Sequence, residues 1–146
     1  MLDRQQIQAL VPHQGAMCLW DNVLHWDAQH IVLQANSHRD ARHPLRTGAA
    51  LHAVHLCEYG AQAMAVHGGL LADGGPARAG MLVALRDVQL HCQRIDQLDG
   101  VLRGEADLLA AGDASQQYAF RILHNDTLLA EGRAAVMLQL PGQSGH

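Results

Sequence analysis

The sequence contains no lysine, and its ten basic residues are all arginines spread along 146 residues. Aromatic residues are also scarce, with two Trp, two Tyr and one Phe, and the formal net charge is -4. Surfaces that bind nucleic acids combine clustered positive charge with aromatic rings that stack on bases. These absences argue against a nucleic-acid partner.

Long apolar runs are missing too. No segment stays apolar over the roughly 20 residues that a membrane helix needs, and the N-terminus lacks the basic start and apolar core of a signal peptide. We therefore expect a cytoplasmic protein with no membrane contact. Cys18, Cys57 and Cys92 are odd in number and widely spaced, which predicts buried free thiols and neither disulfides nor a cysteine metal site.

The length suits one domain spanning residues 1–146. We predict a short helix within residues 1–11, because Pro12 cannot continue a helix, and a frayed tail over 141–146. Partly alternating apolar residues predict strands over 17–27 and 30–37, followed by a polar loop.

A helical pattern occupies the middle of the chain. From about Ala49 to Ala72, apolar and small residues recur at spacings of three and four. Gly60, Gly68 and Gly69 lower helix propensity, so we expect something to pack very close to the helix backbone there. A breaker-rich connection over 72–80 follows.

The rest of the chain predicts strands separated by short turns. Their ranges are 80–92, 100–112, 115–125 and 127–140. Two strands, one long helix and four strands predict an α+β fold in which one antiparallel sheet packs on the helix. The sheet edges would favour pairing into a dimer.

A single carboxylate interrupts the apolar stretch 55–69. Glu58 lies at the border of the helix's apolar stripe, one turn before Gln62. Partial burial there would favour the protonated carboxyl, the form that a general acid needs, and Gln62 could orient it. The alternative is a helix-flank acid that reaches solvent or pairs with an arginine.

The loop before the helix carries two candidate bases. His38 and His43 lie in "HRDARHPLRTG" (38–48), and imidazole titrates near physiological pH. Backbone N–H groups around Gly48 to Leu51 could polarise a carbonyl oxygen. Base, acid and oxyanion donors would then meet at one end of the helix. Alternatively, both histidines are solvated loop residues.

His52, His55 and Glu58 are spaced by three residues each. They spread over about 120° of a helix, which is wide for one ion. We therefore expect no metal site and no cofactor. His55 remains a neighbour of Glu58 that could support it or contact substrate.

Two segments resemble the beta-hydroxyacyl-ACP dehydratases of fatty acid synthesis. "LVPHQGAMCLWDNVLHWD" (10–27) is similar to their N-terminal segment, and "CEYGAQAMAVHG" (57–68) is similar to their central helix. The Glu-Tyr-x-x-Gln pattern followed by Ala-x-His is most similar to the divergent branch associated with aryl polyene biosynthesis.

This resemblance implies a hot-dog fold, in which about five to six antiparallel strands wrap one long helix and dimers join through sheet edges. It implies a 3-hydroxyacyl thioester on the phosphopantetheine arm of an acyl carrier protein as substrate, and a 2-enoyl thioester as product. His43 would remove the C2 proton and Glu58 would help the hydroxyl leave. His13 would be a structural or tunnel-mouth residue. The second subunit would be identical or related.

Two alternatives stay open. A hot-dog thioesterase would use its carboxylate to activate water on the carbonyl. A non-catalytic subunit would pair with an active homologue, and the loop favours this reading in one respect. "RHPLRTG" places His43 fifteen residues before Glu58, but it lacks the Gly and Phe of the family's Gly-His-Phe-Pro loop.

Overall fold

One antiparallel sheet and one long helix dominate the computed structural model, which describes residues 1–11, 15–48, 50–72, 80–112 and 114–138. The helices are α1 (Arg4–Gln8) and α2 (Leu56–Leu71), and the strands are β1 (Asn22–Trp26), β2 (His30–Ala35), β3 (Gly80–Leu90), β4 (Leu102–Ala111), β5 (Ser115–His124) and β6 (Thr127–Leu138). The sheet order is β1-β2-β4-β5-β6-β3, with every neighbouring pair antiparallel. The predicted α+β class and the six strands are confirmed.

The first predicted strand is too long, because Gly15–Met17 form a 3-10 turn and β1 starts only at Asn22. Three predictions fall outside the described residues: the tail over 141–146, the connection over 73–79 and His13.

The described cysteines are all free, as expected, but only Cys18 is buried. No helix in the described part of the chain has the length and apolar character to cross a membrane.

The central helix begins later than predicted, for a tertiary reason. Before α2, Leu51 accepts a hydrogen bond from the Ile95 amide at 2.9 Å, and the Ala53 amide donates to the Gln93 carbonyl at 2.8 Å. These pairings hold the segment extended, since a helical backbone would direct the same groups along its own axis. The α-helix therefore starts at Leu56, after a 3-10 turn.

Close packing against the helix backbone is found at two of the three predicted glycines. A Cβ at Gly60 would lie 2.6 Å from the Phe120 ring of β5, and one at Gly69 would lie 2.9 Å from the Leu10 carbonyl oxygen. Gly68 has nothing within 4 Å, so the prediction is wrong there. The sheet thus packs directly on the helix backbone at Gly60, and the end of the N-terminal segment packs on it at Gly69.

Strand β3 forms one edge of the sheet and pairs with β6. Along its second half it leaves the apolar side chains of Leu85, Val88 and Leu90 between 37% and 40% exposed. A long edge strand with exposed apolar residues is a ready template for pairing with another chain.

Candidate active site

The loop between β2 and α2 is folded by its own backbone and side-chain hydrogen bonds. The Asp40 carboxylate accepts from the Arg42 amide at 2.8 Å, and the Asp40 carbonyl accepts from the His43 amide at 3.1 Å. The Arg46 guanidinium donates to the Asp40 carbonyl at 2.7 Å and to the His38 carbonyl at 2.9 Å. Together these bonds turn His43 toward the interior.

His43 is buried, with 6% of its surface exposed. Its Nδ1 accepts a hydrogen bond from the Leu45 amide at 3.1 Å, and its Nε2 lies 3.1 Å from the Tyr59 hydroxyl oxygen of α2. Burial, reinforced by the nearby Arg46 charge, lowers the pKa of His43 to about 4. The imidazole is therefore neutral near pH 7.

Tyr59 extends these contacts into the protein. Its hydroxyl lies 2.7 Å from the Ser37 hydroxyl, which in turn donates to the Leu19 carbonyl at 2.7 Å. We call the three side chains of His43, Tyr59 and Ser37 the relay. Tyr59 is fully buried, and burial raises its pKa. The sequence pattern did not indicate this role for Tyr59 and Ser37, because only the folded loop brings residues 37 and 43 to residue 59.

Glu58 points the other way, since consecutive helix residues are about 100° apart. It lies exposed in the first turn of α2, and no described residue forms a hydrogen bond or ion pair with it. The predicted partial burial is therefore wrong for the isolated chain. Acidic side chains are common in the first turn of a helix, because the positive end of the helix dipole attracts negative charge.

Gln62 does not orient Glu58. Its side-chain oxygen accepts from the Leu19 amide at 2.9 Å and its nitrogen donates to the Met17 carbonyl at 2.8 Å. Both ends of the amide are thus used to fix the segment before β1. Because Leu19 also accepts from Ser37, Gln62 supports the same region as the relay.

The amides expected to form an oxyanion hole are largely occupied. Gly48 is exposed at φ 61 in a turn rather than at a helix start. The Ala50 amide donates to the Thr47 carbonyl at 3.1 Å, and the Leu51 amide donates to the Asp96 carboxylate at 2.9 Å. The prediction of free helix-start donors at these positions is therefore wrong for Ala50 and Leu51.

The other histidines of this region have separate settings. His55 is half-buried at the N-cap of α2, makes no side-chain capping bond, and its charge when protonated would lower the pKa of His43. His38 is buried, with its Nε2 2.9 Å from the Leu98 carbonyl. No cluster of three or more His, Cys, Asp or Glu residues in the described ranges is suited to a metal ion.

An open cleft of about 730 Å³ borders the outer side of the relay. Its lining consists of polar and charged side chains: Arg4, Asp21, Asn36, Ser37, Arg39, Asp40, Arg42 and His43. Carboxylates balance much of its positive charge, since Arg4 pairs with Asp21 at 2.9 Å. Glu58 does not line this cleft, so the cleft contains only one of the two predicted catalytic residues, His43.

A family model described as ApeP-like, ApeP dehydratase, matches residues 5–141. The chain belongs to the ApeP-like dehydratase family. This match confirms the resemblance to the aryl polyene branch and identifies the reaction class of the ApeP-like chain as dehydration. No curated protein matches the sequence significantly.

Several solved structures are similar in fold to this ApeP-like chain. The dehydratase heterocomplex ApeI:P from Xenorhabdus doucetiae superposes with a TM-score of 0.83 at 22% identity, covering 94% of this chain and 93% of that one. Thioesterase HI1161 from Haemophilus influenzae gives a TM-score of 0.64 at 13% identity, covering 86% and 82%. AziG from S. sahachiroi gives 0.63 at 15% identity, covering 82% and 90%. At these identities the structures confirm the hot-dog fold.

Proposed function

We propose that this chain removes water from a 3-hydroxyacyl thioester, carried on the phosphopantetheine arm of an acyl carrier protein, to give the 2-enoyl thioester. The observation that carries the proposal is the ApeP dehydratase match over residues 5–141. Glu58, on the first turn of the central helix, is the proposed acid.

The reaction requires an acid and a base on one substrate. A base takes the C2 proton, the C–H electron pair becomes the C2–C3 double bond, and the C3–O bond breaks. Glu58 donates a proton to the departing hydroxyl, which leaves as water. An exposed carboxyl at the helix start can reach a substrate that a second subunit covers, and desolvation by that subunit would favour its protonated form.

The second subunit in this proposal is a related dehydratase. The exposed edge of β3 and the uncovered Glu58 both favour an interface that the isolated chain leaves open. The similar structure from Xenorhabdus doucetiae is a dehydratase heterocomplex, which favours a heterodimer over a homodimer. Three free cysteines suit a reducing compartment, and we propose the cytoplasm as the site of action.

The test is to purify the chain with its related dehydratase subunit and to supply a 3-hydroxyacyl thioester of acyl carrier protein. Mass spectrometry should show loss of water from the acyl group. Glu58→Gln should lower kcat by about a hundredfold or more, as expected for loss of a positioned acid, while the complex stays intact by size-exclusion chromatography.

Glu131→Gln on β6 is the matched control, since it makes the same chemical change outside the proposed site, and it should keep the wild-type rate. Release of a free thiol instead of water loss would identify a thioesterase. Full dehydration by the Glu58→Gln complex would identify the chain as a non-catalytic subunit.

A further inference from the structure

The relay has a fixed direction, because backbone groups that cannot change polarity terminate it at both ends. The Leu45 amide can only donate, so His43 Nδ1 must be the acceptor. The Leu19 carbonyl can only accept, so the Ser37 hydroxyl must donate to it.

The remaining protons follow from these two ends. Because the Ser37 proton is directed at Leu19, the Tyr59 hydroxyl must donate to Ser37 Oγ. The Tyr59 oxygen is then free to accept, and a neutral imidazole with an unprotonated Nδ1 carries its proton on Nε2, which donates to it. All four hydrogen bonds point the same way, from Leu45 to Leu19.

This arrangement leaves His43 without a site for another proton. Its only lone pair faces the Leu45 N–H, so a proton added at Nδ1 would oppose that N–H across 3.1 Å. The residue as a whole is also buried, with only 6% of its surface exposed. A general base needs a lone pair directed at the substrate proton.

We propose that His43 is a positioning residue, which the relay holds as a neutral Nε2–H donor to anchor the loop on α2, and that another group takes the C2 proton. The role of that other group rests on the proposed dehydration. The tautomer and the anchoring do not depend on it. The isolated chain is then missing the base and should be inactive without its partner subunit.

Nitrogen-15 NMR of the complex, with label in histidine of this chain alone, tests the proton positions directly. The His43 signals, assigned by their loss in His43→Gln, should show a protonated Nε2 and an unprotonated Nδ1, with no titration between about pH 7.5 and pH 5. The charged or titratable groups that bear on this titration are Arg46, His55, His38 and Asp40. A protonated Nδ1, or titration near the ordinary histidine value, would overturn the proposal whether or not the complex dehydrates its substrate.

Activity gives the second measurement. The His43→Gln amide can still donate to Tyr59 but cannot act as a base, so kcat should fall less than tenfold. A loss of a hundredfold or more in kcat, with unchanged KM and an intact complex, would assign His43 as the base instead.

Tyr59→Phe covers the case in which His43→Gln fails to fold. This variant removes the acceptor of Nε2–H and should therefore shift the Nε2 signal of one histidine, while Nδ1 of that ring stays unprotonated because the Leu45 amide still donates to it. Tyr118→Phe removes the hydroxyl of the other buried histidine–tyrosine pair and should leave the His43 signals unchanged. If no histidine Nε2 signal shifted in Tyr59→Phe, the relay would be contradicted.

Discussion

Two buried histidine–tyrosine pairs connect α2 to the rest of the protein. In one pair the histidine donates the hydrogen bond, and in the other the tyrosine donates it. At the helix start, His43 of the loop donates to Tyr59 of the helix. Toward the helix end, Tyr118 of β5 lies 2.7 Å from Nδ1 of His67, whose Nε2 donates to the Asp27 carbonyl at 2.8 Å. Because Nε2 carries the proton, the Tyr118 hydroxyl donates to Nδ1.

The difference comes from the backbone group that each imidazole meets. A carbonyl holds His67 and an amide holds His43, although both rings are neutral Nε2–H tautomers. If His67 gained a proton, the Tyr118 hydroxyl could rotate and become the acceptor. The Leu45 amide has no such freedom. Identical side-chain types thus give one pair that can adapt to a second proton and one that cannot.

Gly60→Ala should break both pairs at once, because both depend on the position of α2. The new Cβ would lie 2.6 Å from the Phe120 ring, and a Cβ at Gly132 would also lie 3.0 Å from that ring, so the ring has little room to shift. Overpacking of this kind costs about 3 kcal/mol. Urea unfolding measures the loss, and a change below about 1 kcal/mol would contradict this close packing. Gly68→Ala, with open space around it, should instead stabilise by about 0.5 to 1 kcal/mol.

Lowering the pH should destabilise the His43–Tyr59 pair, because His43 cannot accept a second proton in place. The pKa of His43 falls from 6.5 to about 4, mainly through burial, with Arg46, His55 and His38 lowering it further and Asp40 opposing them. Between about pH 6.5 and pH 4 the folded chain therefore binds fewer protons than the unfolded chain. The stability that His43 contributes is full above pH 6.5 and is lost as the pH falls toward 4.

This contribution is at most about 3.4 kcal/mol, at 1.36 kcal/mol for each pKa unit. The measurement is the urea unfolding free energy of wild type and His43→Gln at about pH 7 and pH 4.5. His43→Gln should lose less stability over this interval, and parallel losses would show that His43 is not the titrating group.

Tyr59→Phe should lower the unfolding free energy by about 2 kcal/mol. The change leaves the Nε2–H of His43 without an acceptor and the Ser37 oxygen without a donor, and each unsatisfied buried group costs about 1 kcal/mol or more. Chemical denaturation checks the value. Wild-type stability in this variant would mean that water replaces the hydroxyl.

Among the destabilising variants Tyr118→Phe should have the smallest effect, about 1 kcal/mol, because it leaves only the His67 Nδ1 lone pair unsatisfied. The comparison is made by the same denaturation under the same conditions. A larger loss here than in Tyr59→Phe would reverse the ranking of the two pairs.

The sequence predicted elements well where local patterning decides them. Turn residues and apolar alternation placed all six strands, and the spacing of small residues placed α2 as the central helix. The start of α2 could not be predicted, because Ala53 pairs with Gln93, forty residues further along. Local propensity does not register such a contact.

In the candidate site, too, local features were predicted and tertiary contacts were not. Glu58 on α2 and His43 in the preceding loop were identified from residue type and position. Their environments were not, since His43 is buried against Tyr59 of α2 through a fold of the loop, and Glu58 is exposed although it borders the apolar stripe. Gln62 was assigned to Glu58 by its place on the helix, but tertiary contacts direct it to Leu19 and Met17.

The terminal groups of the relay also determine whether it can carry charge. Conduction of a proton along a hydrogen-bonded wire requires a source that releases one and a sink that takes it up. The Leu45 amide and the Leu19 carbonyl, which end this wire, do neither at ordinary pH. No proton can therefore enter or leave the relay through either of these end groups.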